Sequence, residues 1–187
     1  MLVLVEIRWH GRGGQGIVTI SRLLAQAALL DGRYVQSFPE FGPERRGAPV
    51  TGYTRISDEP ILVHSQIYNP SIVVIVDPTL IGSVDVTRGL PPKGLIVAHW
   101  DKGPHDLKRV LSVEDLSIYT VDAMKIALEV LGRPIYNTAM LGALLKASPL
   151  VKMDSLVKVI KERFPGALGE KNAAVVKRAY EEAVGIE

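Results

Sequence analysis

Leu2-Val-Leu-Val-Glu-Ile-Arg-Trp-His-Gly-Arg-Gly-Gly-Gln-Gly16 begins as an apolar run and ends in glycines. Ile17, Ile20, Leu23, Leu24, Ala27 and Ala28 then recur at helical spacing until Asp31-Gly32 stops the pattern. Residues 2–9 therefore read as a buried strand, 11–16 as a glycine turn and the stretch from Ile17 as an amphipathic helix. Tyr-Val-Gln-Ser-Phe at 34–38 reads as a second strand. The spacing predicts a β-turn-α-β unit whose two strands pair in parallel.

Outward from that unit, residues 39–49 form a loop punctuated by Pro39, Gly42, Pro43, Gly47 and Pro49. Strand-like stretches at 50–56 and 61–67 flank Ser57-Asp-Glu-Pro60, which predicts an antiparallel hairpin. Ile72–Val76 is a continuous β-branched run closed by Asp77-Pro78, the pattern of a central strand buried on both faces. Leu95–Ala98 and Ile118–Val121 read as further strands. Beyond residue 122 the pattern is helical near 122–131, 138–147, 154–164 and 172–184, with Leu156, Val157, Ile160 and Phe164 as one stripe. Asn137-Thr138 and Asn172 read as helix caps. This mixture predicts an α/β domain with a mixed sheet and a helical C-terminal part.

Composition excludes several chemistries. With 187 residues the chain is long enough for its own core, and 22 basic against 20 acidic residues leave a charge of only +2, no argument for nucleic acid. Cysteine is absent, which rules out disulfides, thiolate nucleophiles and cysteine-ligated iron–sulfur clusters held by this chain. No apolar run approaches the ~18–20 residues of a membrane span, and Glu6 and Arg8 interrupt the start in a way no signal peptide tolerates. The expectation is a cytoplasmic protein that meets no membrane. His10, His64, His99 and His105 are too scattered for a metal site, so no metal ligand is expected.

Two motifs are candidates for function. Gly11-Arg-Gly-Gly-Gln-Gly16 satisfies G-x-G-x-x-G between a strand and a helix. Gly11, Gly13, Gly14 and Gly16 let backbone N–H groups approach an anion at the positive helix end, Gln15 lies within the turn, and Arg12 adds a charge. The same glycines also suit a tight packing turn without ligand, and both readings stand at this point. A dinucleotide fits less well: strand 34–38 ends in Ser37-Phe38, so the acid that would hold a ribose is missing, and Glu40 lies beyond Pro39. The second motif, Phe38-Pro-Glu-Phe-Gly-Pro-Glu-Arg-Arg-Gly-Ala-Pro49, is long for a purely structural loop. Phe38, Phe41, Arg45 and Arg46, with Glu40 and Glu44, are residue types that interfaces use. The competing reading is a rigid exposed loop whose charges pair among themselves.

Ile7–Gly16 together with Phe38–Thr51 resembles the gamma subunit of 2-oxoacid:ferredoxin oxidoreductases, with the pyruvate and 2-oxoisovalerate enzymes nearest. The resemblance continues through Ile67–Pro70, Ile72–Pro78, Asn137–Leu144 and Asn172–Tyr180 and covers essentially the whole chain. It implies one gamma-type domain over residues 1–187, of α/β class: a three-layer Rossmann-like domain with a mixed sheet and a helical C-terminal part. It implies oxidative decarboxylation of a 2-oxoacid to acyl-CoA, with two electrons passed to ferredoxin; some members run in reverse as pyruvate synthases. Thiamine diphosphate, [4Fe–4S] clusters and coenzyme A are expected in the complex, the first two on thiamine-binding alpha and beta subunits and a ferredoxin-like delta subunit. No catalytic residue is implied for this chain. The alternatives are a stand-alone nucleotide-binding oxidoreductase and a non-catalytic interaction subunit whose glycine turn serves packing alone.

Overall fold

Ile72–Ile75 (β4) is buried along its whole length, with Ile72 and Val74 facing one layer and Val73 and Ile75 the other. It lies in the middle of the sheet in a computed structural model that describes residues 4–40 and 46–187. Among these residues the order of elements is β1 (Val5–Arg12), α1 (Ile17–Leu30), β2 (Tyr34–Pro39), β3 (Pro49–Ser57), β4, a short 3-10 turn (Pro78–Leu80) and β5 (Leu95–His99). There follow α2 (Pro104–Leu111), β6 (Ser117–Val121), α3 (Ala123–Leu131), α4 (Asn137–Ala147), α5 (Met153–Arg163), α6 (Ala167–Glu182) and β7 (Val184–Ile186).

The strands form one mixed sheet in the order β2-β3-β1-β4-β5-β6-β7. Pairs β1–β4, β4–β5 and β5–β6 are parallel; β2–β3, β3–β1 and β6–β7 are antiparallel. One face packs Ile7, Trp9, Val74 and Val97 against α1 and the C-terminal helices. The other packs Val73, Ile75, Ile96 and Ile118 against Leu80, Val86 and Leu107 of α2. Burying one such side chain is worth about 1.5–3 kcal/mol, so the core on these two faces dominates the stability. The three-layer α/β class with a helical C-terminal part is therefore as the sequence predicted. No helix among the described residues is long and apolar enough to cross a membrane.

Three local expectations are corrected. β1 and β2 run in the same direction but do not pair, because β3 lies between them. Arg55 on β3, 1 % exposed, explains the insertion: its Nε donates to Glu6 Oε1 on β1 at 2.7 Å and its Nη1 to Gln36 Oε1 on β2 at 3.1 Å. A buried guanidinium needs acceptors on both sides, and only the central position supplies them. Residues 61–67 are accordingly not a strand, since both edges of β3 are already occupied; 58–71 connect β3 to β4 without regular structure. Finally, neither asparagine caps a helix. Asn137 is the first residue of α4, with Oδ1 accepting from Thr138 N, and α6 starts earlier than expected, at Ala167 after Gly166 (φ 68°).

Asn172 instead ties two helices together: its Oδ1 accepts from Thr138 Oγ1 on α4 at 2.9 Å, and its Nδ2 donates to Leu168 O. Gly142 on α4 permits the same close approach, because a Cβ there would overlap the carbonyl oxygen of Val176 on α6. The atoms that Cβ would meet, Val176 O and Tyr180 N, are backbone, so the helices would have to separate. Gly142→Ala should lower the unfolding free energy by about 1–3 kcal/mol, read as a shifted denaturant midpoint with an unchanged slope.

Candidate functional site

The carboxyl ends of β1 and β4 lie side by side, and there the chain diverges: β1 leads through α1 toward β2, while β4 leads the other way toward β5. Open α/β sheets place ligands at such a divergence. The glycine turn sits here. Gly14 (φ 93°) and Gly16 (φ 76°) adopt left-handed backbone that side chains disfavour. Gly16 also lacks room for a Cβ, which would overlap Asn137 Nδ2. Gly16 occupies the N-cap of α1 without a side-chain cap, and no acid stands in the first helical turn. The positive end of a 14-residue helix is thus presented to a cleft of about 190 Å³, lined by Gly14, Gln15, Gly16, Val76, Tyr136 and Asn137.

Asp77 at the end of β4 holds the turn in place. Its Oδ1 accepts from Thr79 N (2.9 Å) and Thr79 Oγ1 (2.6 Å), and its Oδ2 from Gln15 Nε2 (2.7 Å). Gln15 closes the loop by accepting Arg12 N on Oε1 at 2.7 Å. Burial raises the Asp77 pKa, but the hydrogen bonds from Thr79 and Gln15 and the Arg12 charge outweigh it and hold the carboxyl below its usual range. Arg12 Nε lies 3.3 Å from Asp77 Oδ2, its Nε and Nη2 donate to Thr79 Oγ1, and its Nη1 donates to Gly47 O at 3.1 Å. The Arg12 charge that the sequence offers to an anion is therefore engaged within the fold.

The second motif meets the first. Gly13 N donates to Ala48 O at 2.9 Å and Gly47 N to Gly13 O at 3.0 Å, while Arg46 passes beside Gly14. Phe38 stacks on Tyr53 at 5.2 Å between ring centres, with the Arg55 guanidinium 5.6 Å over the Phe38 ring. Tyr53 Oη donates to exposed Glu40 at 3.4 Å; burial and that carboxylate push the phenol up to about 12. Arg46 is exposed and makes no ion pair with a described residue. Phe41, Glu44 and Arg45 lie outside the described residues.

Sequence reasoning missed Asp77, Thr79 and Asn137 as members of the site. Asp77-Pro-Thr79 was legible only as a strand end; the signal was a carboxylate directly after a buried parallel strand. His10, one strand position before the turn, is buried and accepts from Arg8 Nε on its Nε2 at 3.0 Å. Burial and the Arg8 charge lower its pKa to about 4, so it is neutral with its proton on Nδ1. The other histidines do not join it, and no three His, Asp or Glu among the described residues converge to hold a metal.

With this geometry established, the chain can be compared with known proteins. The family model for pyruvate ferredoxin/flavodoxin oxidoreductase matches residues 6–182. The chain is 51% identical over 178 residues to the pyruvate/ketoisovalerate oxidoreductases common subunit gamma of Pyrococcus furiosus, covering 95% of this chain and 96% of that one. It is 51% identical over 179 residues to pyruvate synthase subunit PorC of Methanothermobacter thermautotrophicus, covering 96% of each. The crystal structure of pyruvate oxidoreductase subunit PORC from Thermotoga maritima superposes with a TM-score of 0.89 at 37% identity and 99% coverage of both chains.

The clamp yields a pH signature. Because folding depresses the Asp77 pKa, its contribution is fully present above about pH 4, the unfolded carboxylate range, and disappears as pH falls through the folded value. Asp77→Asn should cost about 1.5–3 kcal/mol near neutrality. Urea titrations of the two proteins across pH 2–7 should show that gap constant above roughly pH 4 and closing below it.

Proposed function

This chain belongs to the pyruvate ferredoxin/flavodoxin oxidoreductase family as a gamma-type subunit, and on that premise we propose that its glycine turn receives a phosphate of coenzyme A in an assembled 2-oxoacid:ferredoxin oxidoreductase. The observation that carries the proposal is the uncapped start of α1, held open by Gly14 and Gly16 and facing a cleft with no acid in the helix's first turn. N–H groups at such an end bind phosphate oxygens through short, charge-assisted hydrogen bonds. Thiamine diphosphate, held mainly by a partner, is the second choice for the same turn.

In this reading the complex converts a 2-oxoacid and coenzyme A to acyl-CoA and carbon dioxide, and the two electrons released reduce ferredoxin. Thiamine diphosphate supplies the carbanion chemistry and [4Fe–4S] clusters carry the electrons, both on alpha, beta and delta partners in the cytoplasm. A chain without cysteine cannot ligate those clusters with thiolates. This subunit's share is to bind and orient. Residues 38–49 dock on a partner; the Phe38–Tyr53 stack, exposed Glu40 and exposed Arg46, which pairs with no described carboxylate, support that role, with Phe41, Glu44 and Arg45 in the same segment.

One reconstitution series tests these points. The pure chain should show no turnover with oxoacid, coenzyme A and a dye acceptor, whereas the assembled enzyme should. Gly14→Val, which meets only Arg46 near its Cβ and acts through backbone strain and obstruction of the turn, should raise the apparent KM for coenzyme A about tenfold. Arg46→Ala should lower the yield of complex and leave the melting temperature of the chain within about a degree, since exposed charges contribute little to folding. Turnover by the metal-free chain alone, or wild-type coenzyme A kinetics in an assembled Gly14→Val enzyme, would contradict the assignment.

A further inference from the structure

The connection from β3 to β4 carries Leu62 and Tyr68, the two most exposed large apolar side chains among the described residues, at 84 % and 67 %. Val63, beside Leu62, is 45 % exposed. Pro60–Ser71 contains no Asp, Glu, Lys or Arg, in a chain of which 22% is charged. Exposed apolar groups in a stretch depleted of charge mark the centre of a protein interface.

The sheet holds this segment by its backbone. Gln36 Nε2 on β2 donates to Ile61 O, and Arg55 Nη2 on β3 donates to Gln66 O, each at 3.4 Å. Gln36 and Arg55 lie directly opposite each other in the β2–β3 ladder. Two neighbouring side chains thus hold both feet of Leu62–Ser65, and every residue between the feet is exposed. Farther along, Ile67 is buried and Ser71 N donates to Glu6 O at 2.8 Å. Apolar side chains on a backbone fixed in this way lose little conformational entropy when a partner covers them.

The patch is continuous with the start of the 38–49 segment. Arg55, which holds Gln66, also lies 5.6 Å over the Phe38 ring, and that ring stacks on Tyr53. The Tyr68 phenol is near enough to add to the rise that burial causes in the Tyr53 pKa, and Tyr53 Oη donates to Glu40. The rim of this surface is charged. Glu40, Glu59 and Arg88 are exposed and make no ion pair with a described residue. Gly89 brings Arg88 there, since a Cβ on that glycine would overlap the Tyr68 carbonyl oxygen. Two carboxylates in the rim repel anionic lipid, and a two-fold contact with a second copy would set a net negative rim against itself.

We propose that Leu62, Val63 and Tyr68 are the apolar centre of a docking surface for another subunit of the oxidoreductase. That subunit supplies an apolar recess bordered by cations facing Glu40 and Glu59 and by an acid facing Arg88. The inference rests on the reading that residues 38–49 meet a partner, and it extends that contact onto the connection between β3 and β4. Leu62 and Tyr68 are the anchors, and the charged rim selects the partner.

The test titrates the full chain against the other subunits and follows assembly by sedimentation velocity. Leu62→Asp and, separately, Tyr68→Ser should each weaken assembly about tenfold or more, while the melting temperature of the free chain moves by less than about two degrees. Leu62→Met, which keeps the apolar volume, should assemble as the wild type does. Wild-type assembly by both anchor variants would overturn the proposal. So would a loss of free-chain stability that accounts for the weaker assembly, which would mark the segment as structural. A free wild-type chain that dimerises, with Leu62→Asp dissolving the dimer, would assign the surface to a second copy and overturn it as well. If the anchor variants are silent while Arg46→Ala lowers the yield of complex, this surface fails and docking of 38–49 stands. If the anchor variants weaken assembly while Arg46→Ala is silent, the apolar surface stands without the loop. If all of them are silent, both readings fail.

Discussion

Asp77 is the group on which the site depends. A carboxylate buried at the end of a central strand is unfavourable unless its oxygens are satisfied, and here they accept from Thr79 N, Thr79 Oγ1 and Gln15 Nε2, beside the Arg12 guanidinium. Each donor fixes a different piece of chain. Thr79 sets the exit from β4, Gln15 sets the glycine turn after β1, and Arg12 carries the connection to Gly47. The carboxyl ends of two adjacent parallel strands, the start of α1 and the segment leading into β3 are thereby locked to one another. The cleft in front of α1 goes with that locking: Gln15 points back to Asp77, and the N-cap Gly16 has no side chain to cap the helix start.

Much of this fold was legible because the signals were local. The β-branched run at 72–76 became the central strand and the apolar stripes beyond 122 became helices, with α6 starting earlier than expected, while the glycines after residue 10 turn only beyond Arg12, where β1 ends. What was not legible depends on pairing across distance. Nothing within residues 50–67 says that β3 inserts between β1 and β2; that follows from Arg55 needing Glu6 and Gln36 at once, across 49 and 19 residues of sequence. Once β3 lies between β2 and β1, 61–67 find no free edge of β3 to pair with as a hairpin. The same holds for Asn172, which looks like a cap in sequence and serves as a tie to Thr138, 34 residues away. α2, with eight residues, and β7, with three, are too short to show a period.

For the site, the glycines were readable as a motif, but the balance of charge was not. Arg12 beside a glycine turn suggests a cation for an incoming anion, yet its charge is matched by Asp77, 65 positions away. The positive character of the cleft comes instead from the uncapped start of α1. Without cysteine, the chain ligates no iron–sulfur cluster through thiolates. On the proposed function, its share in a decarboxylating complex is to hold a reactant's phosphate at the start of α1.

A structure of the assembled enzyme with coenzyme A bound tests this account most directly. The account predicts a coenzyme phosphate oxygen about 3 Å from backbone N–H groups at the start of α1. Coenzyme phosphates held elsewhere in the complex, with Gly14–Gly16 packed against a partner subunit's backbone, would contradict it.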